Sequence, residues 1–158
     1  MRFFAVILFT SIVMVGQTQI AQALDDVEAL SGLTSVRAVY DVRTKDEKAL
    51  QFIFTVIRDT YDETVQQDVK ARYVASMRGP TVKLLVRSRH GDAALQEKTV
   101  SLINELNQRG IRLEACGYAL NLFAIEPEDL YDGIVSVGNS LNSLIGYQIK
   151  GYSLVPMN

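Results

Sequence analysis

The sequence contains one cysteine, one histidine and no tryptophan among its 158 residues. A single thiol, Cys116, cannot form a disulfide within the chain, which excludes a disulfide-stabilised fold. One cysteine and one histidine are too few for a zinc site unless carboxylates complete the ligands, so no metal is expected. Cys116 is therefore either a buried apolar filler or a reactive group kept for chemistry.

Clustered positive charge is also missing. The chain has 16 basic and 18 acidic side chains, a formal net charge of −2, and its longest basic cluster is the short segment 87–90. This composition gives nucleic-acid binding no electrostatic support, and no such partner is expected. Neither G-x-G-x-x-G nor a Walker pattern occurs, so no nucleotide cofactor is expected.

The N-terminus has the composition of a secretory signal. Arg2 is followed by an apolar run over residues 3–16 and by the small-x-small pattern Ala21-Gln-Ala23. This run is shorter than the about 20 residues that a transmembrane helix needs. Residues 1–23 are thus predicted to be a signal peptide cleaved after Ala23, leaving a periplasmic or secreted protein without membrane attachment. An uncleaved N-terminal anchor is the alternative.

The remaining chain is predicted to be a flexible lead-in over residues 24–34 and one domain over residues 35–158, in which strand and helix patterns alternate. Thr44 and Glu47 form a possible capping box, Asp92 is a candidate cap, and Gly110 a candidate helix end. Residues 81–86 fit either a strand or a short helix. Strands are predicted at 36–42, 69–77, 111–115, 134–137 and 152–155, and helices after 47, after 92, at 118–123 and after 138.

Alternating strands and helices predict an α/β fold with a mostly parallel sheet covered on both faces. Right-handed crossovers place the carboxyl ends of all strands along one edge, where ligands bind in such folds. The residues expected at this edge are Asp41, Arg43, Arg78, Gly79, Cys116, Gly117, Gly138 and Asn139.

Five segments in this order resemble the DsrE/DsrF-like family, which includes YchN-like proteins, and in particular its exported single-domain branch. They are 78–80, 109–117, 128–130, 134–137 and 144–152, and the resemblance extends over residues 36–156. It implies a Rossmann-like three-layer sandwich with about five strands, assembled as a trimer or hexamer. In well-understood relatives, a cysteine matching Cys116 accepts and passes a persulfide sulfur. Arg78 departs from the family pattern, which often has histidine or a small residue before the Gly-Pro pair.

A thiol transfers sulfur only as its thiolate, so the site must favour the anion. Gly117 leads into a short helix whose first amides could stabilise negative charge. Arg78, followed by Gly79, could add a positive charge at the same edge. Asn139 opens a later helix and could help its backbone amides to hold a small anion, although a tight turn is the simpler interpretation.

His90 lies in a polar segment before a predicted helix cap. It could act as a general base if this segment folds over Cys116, but a solvated loop is the simpler interpretation.

The leading hypothesis is an exported protein that binds or relays sulfane sulfur on Cys116 in sulfur metabolism. It would act as a homo-oligomer, at most as a sulfurtransferase-like carrier, and would meet a donor or acceptor protein or a small sulfur species. One alternative is a non-catalytic oligomeric binding or scaffold module with a structural cysteine. A thiol redox sensor is another.

Overall fold

The computed structural model describes residues 27–87 and 92–158. The predicted signal peptide, residues 1–23, and His90 lie outside the described residues. Residues 24–34, predicted to be a flexible lead-in, contain one helical turn, helix α1 (Val27–Leu30). Within the described ranges, no helix combines the length and the apolar character that crossing a membrane requires.

The described residues form alternating strands and helices as predicted, with ends shifted by one or two residues. The ambiguous segment after Gly79-Pro80 is a 3₁₀-helix, Gly79–Leu84, and a second one spans Pro127–Asp129. The strands are β1 (Ser35–Val42), β2 (Lys70–Met77), β3 (Arg112–Cys116), β4 (Ile134–Val137) and β5 (Ser153–Met157). The further helices are α2 (Glu47–Gln66), α3 (Ala93–Gln108), α4 (Gly117–Leu122) and α5 (Ser140–Ile149).

All five strands pair in parallel in the order β4-β3-β2-β1-β5. Because each crossover returns the chain to the same end of the sheet, all carboxyl ends lie along one edge. The predicted α/β class with a parallel sheet of about five strands is confirmed.

The capping box predicted for α2 is wrong, because the cap is Asp46 and not Thr44. The Asp46 carboxylate accepts from the amide of Ala49 at 2.7 Å. The Thr44 hydroxyl instead accepts from the Asp46 amide at 3.1 Å. The Thr44 amide donates to Thr81 Oγ1 at 2.7 Å, which ties Thr44 to the neighbouring loop ahead of the helix. At α3, the predicted cap Asp92 is confirmed, with its carboxylate accepting from Ala94 and Leu95.

The sheet separates a thick layer, which contains three helices, from a thin layer, which contains one. Helices α2, α3 and α4 cover one face and bury the main core, which includes Leu50, Phe54, Ile103 and Leu113. On the other face, where α5 packs alone against β1, β2, β3 and β5, the buried apolar cluster contains Val39, Val74 and Leu144.

Side chains alternate along a strand, so every second residue faces the α5 layer. At the level where this layer meets the carboxyl edge, the facing residues are polar. They are Asp41 on β1, Ser76 on β2 and Glu114 on β3, all buried and paired in register. The layer under α5 is therefore polar beside the strand ends.

Candidate functional site

Cys116 is the last residue of β3 and the residue that precedes α4. It pairs with Val137 on β4. On the other side, Ala115 pairs with Met77, the last residue of β2, so Arg78, which follows it, lies beside Cys116. The side chain of Cys116 is 6% exposed. The sequence thus places the thiol at the carboxyl edge as predicted, but almost buried.

The two strands that meet at Cys116 send their helices to opposite faces of the sheet. The chain continues from β3 into α4, which joins the main core, and from β4 into α5, which covers the other face. Neighbouring strands with diverging connections create the crevice where α/β proteins bind ligands. Cys116 lies on one side of this crevice, and Ser140, the first residue of α5, lies on the other.

Opposing effects set the pKa of Cys116. Burial raises it, whereas the hydroxyl and amide of Ser140 and the amides of Ala119 and Tyr118 lower it, because they can donate to the thiolate. The donors prevail, and the pKa of Cys116 falls below its ordinary value. Amides from the start of α4 and from the start of α5 thus converge on one sulfur, which favours the thiolate that nucleophilic chemistry requires.

Ser140 is a residue of this candidate site that the sequence did not reveal. It is 1% exposed, and its Oγ makes no hydrogen bond of standard geometry. The hydroxyl therefore only contacts the thiol, and its rotation allows it to donate to the thiolate. A serine next to a capping asparagine indicates only a helix start, so no pattern pointed to this contact.

Arg78 lies near the thiol as predicted, but its positive charge is paired with the carboxylate of Asp41. Its guanidinium donates to Asp41 in a bidentate pair, with Nε–Oδ1 at 2.7 Å and Nη2–Oδ2 at 2.8 Å. The hydrogen bonds to buried Asp41 raise the pKa of Arg78, and the negative charge of Cys116 adds to this effect. Arg43 lies 3.8 Å from the same carboxylate. Arg78 thus contributes a neutralised ion pair beside the sulfur.

The other predicted binding residues have backbone or capping roles in this structure. Gly79 has φ +59°, a conformation that suits glycine, and begins the 3₁₀-helix after Arg78. Asn139 uses its side chain to accept from the Leu141 amide at 2.9 Å, which caps α5. Gly117 packs against the turn between β4 and α5. These three residues fix the position of the two helix starts around Cys116.

Among residues 27–87 and 92–158, no three His, Cys, Asp or Glu side chains are grouped so that they could hold a metal ion.

Comparison with known proteins agrees with this architecture. The model of the DsrE/DsrF-like family matches residues 59–157, more than half of the chain. A protein of unknown function from Methanobacterium thermoautotrophicum, MTH1491, is similar in structure, with a TM-score of 0.62, 19% identity and coverage of 77% of this chain and 98% of its own. The ychN protein from E. coli is similar with a TM-score of 0.52, 13% identity and coverage of 78% and 98%. At these identities both structures show the fold. No curated protein matches the sequence.

Proposed function

Since the chain belongs to the DsrE/DsrF-like family, we propose that it carries sulfane sulfur as a persulfide on Cys116. The observation that supports this proposal most is that donors from the starts of α4 and α5 converge on a thiol at the carboxyl edge of a parallel sheet, which lowers the pKa of Cys116. A structural cysteine in an apolar core has no need of donors that favour its anion. Here a hydroxyl and backbone amides from two helices provide them.

Loading begins with attack of the Cys116 thiolate on the outer sulfur of a hydropersulfide, R–S–S–H. A bond forms between Cys116 Sγ and that sulfur, and the original S–S bond breaks. R–S⁻ leaves with the electron pair, and the proton stays on the transferred sulfur. Delivery reverses these steps, with an acceptor thiolate attacking the outer sulfur and Cys116 leaving as thiolate. No external oxidant is needed, and a lowered thiol pKa makes Cys116 a better leaving group.

The proposal includes a homo-oligomer, as the family resemblance implies. Helix α5 has no charged residue between Ser140 and Ile149, yet Leu141, Ile145 and Ile149 are exposed at helical spacing. Such an apolar stripe on a helix that covers a thin layer supports burial against a second copy. A donor or acceptor thiol would then come from another molecule, because Cys116 is the only cysteine.

Export remains part of the same proposal, with a mature chain that begins after Ala23. Determining the N-terminal residue of protein recovered from the extracytoplasmic fraction tests it. Recovery of the chain with Met1 retained would contradict cleavage.

Sulfur carriage is tested by mass spectrometry of the purified protein after incubation with a low-molecular-weight hydropersulfide. We expect Cys116 to gain the mass of one sulfur atom, which dithiothreitol removes, and Cys116→Ala to gain none. A wild-type protein that gains no sulfur, although iodoacetamide alkylates Cys116 under the same conditions, would contradict the proposal.

The second candidate is an oligomeric scaffold with a structural cysteine, and the small exposure of Cys116 favours it. Measuring unfolding and sulfur loading of Cys116→Ala separates the two functions. A loss of about 1 kcal/mol or more in the free energy of unfolding, with no sulfur carried by the wild type, supports the scaffold.

A further inference from the structure

Three buried side-chain atoms in the described part of the chain have no hydrogen-bond partner. They are Ser76 Oγ, Glu114 Oε2 and Ser140 Oγ, and each belongs to a side chain with at most 2% exposure. Buried polar atoms are nearly always satisfied, because leaving them unpaired is costly. Together they present one acceptor oxygen and two hydroxyls to any small guest that reaches them.

The three atoms lie in one place. Ser76 and Glu114 are register partners on β2 and β3. Cys116 follows Glu114 by two residues at the end of β3, where it also joins the main core. Helix α5 crosses these strands on that face and begins at Ser140, whose hydroxyl contacts the thiol. The unpartnered atoms therefore line the layer between the sheet and α5, next to the end of β3 that carries Cys116.

The charges in this layer are already balanced. Asp41 is paired with Arg78 through two hydrogen bonds. Glu114 Oε1 accepts from Arg112 Nε at 2.7 Å and from the Tyr147 hydroxyl at 2.8 Å, which leaves only Oε2 open. A guest must therefore be small and uncharged. It must donate a hydrogen bond to the carboxylate oxygen, and it can accept from the two hydroxyls.

We propose that the layer behind Cys116, lined by Ser76, Glu114 and Ser140, holds the outer sulfur of the Cys116 persulfide as a neutral hydropersulfide. Its S–H donates to Glu114 Oε2, and the hydroxyls of Ser76 and Ser140 donate to the sulfur. This inference rests on the proposed sulfur carriage and adds where the sulfur is kept and in which protonation state. It explains how a carrier can hold a labile sulfur without losing it to solvent thiols.

The substrate class follows from the same chemistry. Transfer from R–S–S–H leaves the proton on the sulfur that enters the layer, so the product is neutral at once. Thiosulfate would instead leave an anionic Cys116–S–S⁻ and sulfite, and this anion meets the Glu114 carboxylate. Hydropersulfides are therefore the expected donors, loading Cys116 at least tenfold faster than thiosulfate, the effect of about one hydrogen bond to a charged group.

The test uses the full mature protein loaded with a hydropersulfide, followed by removal of the outer sulfur with cyanide. Ser76→Ala should discharge about tenfold faster than the wild type, since it loses a hydroxyl donor to the sulfur. The matched control is Ser136→Ala, which changes a serine of β4 paired with Ala115, on the main-core side of the sheet. This control should discharge at the wild-type rate.

A second variant reads the protonation state. Glu114→Gln keeps the shape but can replace the open carboxylate oxygen by an N–H₂ donor, which favours the perthiolate anion. We expect its loaded form to show the near-ultraviolet absorption of a perthiolate at pH values where the loaded wild type does not. Unfolding curves of each unloaded variant establish that it is folded.

Equal discharge rates for wild type, Ser76→Ala and Ser136→Ala, with no spectral change in Glu114→Gln, would show that the persulfide points outward. The inference would then fail while sulfur carriage stands. A wild-type protein that takes up no sulfur would overturn both. A crystal structure of the loaded protein decides the direction of the outer sulfur independently of the variants.

Discussion

Gly117 lies so close to Val137 that a β-carbon on Gly117 would stand 2.8 Å from the Val137 carbonyl oxygen. The carbonyl oxygen of Gly138 would be 3.1 Å away. This approach presses the start of α4 against the turn that leads into α5. Because both helix starts are held there, amides from each can reach the same cysteine sulfur.

Gly117→Ala should therefore disturb the site as well as the fold. The added methyl group meets backbone atoms that cannot move freely, and we expect a loss of about 1–3 kcal/mol in the free energy of unfolding. The two helix starts should separate, which weakens the hydrogen bonds to Cys116 and raises its pKa. Chemical denaturation and the pH dependence of alkylation measure the two effects.

Gly138→Ala is the matched control for Gly117→Ala. A β-carbon at Gly138 has no heavy atom within 4 Å. The two glycines are neighbours across the same contact, so equal losses of stability in the two variants would mean that the close approach is unimportant.

The placement of Cys116 was predictable, whereas its surroundings were not. Hydrophobic patterns and helix caps such as Asp92 set the alternation of elements, and parallel crossovers then force the strand ends to one edge. Ser140 and Glu114 escaped prediction because their roles depend on which faces they bury. Strand alternation gives a face only after the register is known, and the register is a property of the assembled sheet.

The alkylation profile of Ser140→Ala tests the origin of the thiol acidity. Burial raises the pKa of Cys116, and the hydrogen bonds led by Ser140 lower it. Removing the hydroxyl should shift the pH profile of the iodoacetamide reaction to higher pH by about one unit, the effect of one hydrogen bond to a charged group. At a fixed pH below the thiol pKa, alkylation should slow accordingly.

Stability gives Ser140→Ala a second signature. At a pH below the thiol pKa its buried Oγ makes no standard hydrogen bond, so its loss should leave the free energy of unfolding unchanged or slightly increased. Ser143→Ala, on the same helix but partly exposed, should change neither quantity. A Ser140→Ala profile that coincides with that of the wild type would refute the role of the hydroxyl.

Arg78→Gln should destabilise the protein strongly. The change leaves the buried Asp41 carboxylate without its bidentate partner, and removing one member of such a pair costs on the order of 3 kcal/mol. Chemical denaturation of wild type and variant measures this difference.

Arg43→Gln provides the comparison for Arg78→Gln. Arg43 Nε lies 3.8 Å from the same carboxylate, and its side chain is about half exposed, so the loss should stay within about 0.5 kcal/mol. If Arg43→Gln proves as damaging as Arg78→Gln, the bidentate pair is not what holds Asp41 in the layer.

The apolar stripe of α5 makes the proposed assembly testable with a single charge. Ile145 lies in the middle of the stripe and is 55% exposed in the isolated chain. In an oligomer, Ile145→Glu would bury an unpaired carboxylate, which should weaken association by about 2 kcal/mol, roughly thirtyfold in the dissociation constant. Sedimentation equilibrium of wild type and variant at matched concentrations measures the shift.

Phe52→Glu is the control, because Phe52 is 69% exposed on α2, on the opposite side of the sheet. A wild type that sediments as a monomer, or a Phe52→Glu variant that dissociates as readily as Ile145→Glu, would rule out α5 as the interface. Helix α5 also carries Ser140, so an interface on α5 would hold in place the residue that contacts the thiol. The rate of Cys116 alkylation, measured in wild type and Ile145→Glu at the same concentrations, therefore shows whether assembly affects reactivity.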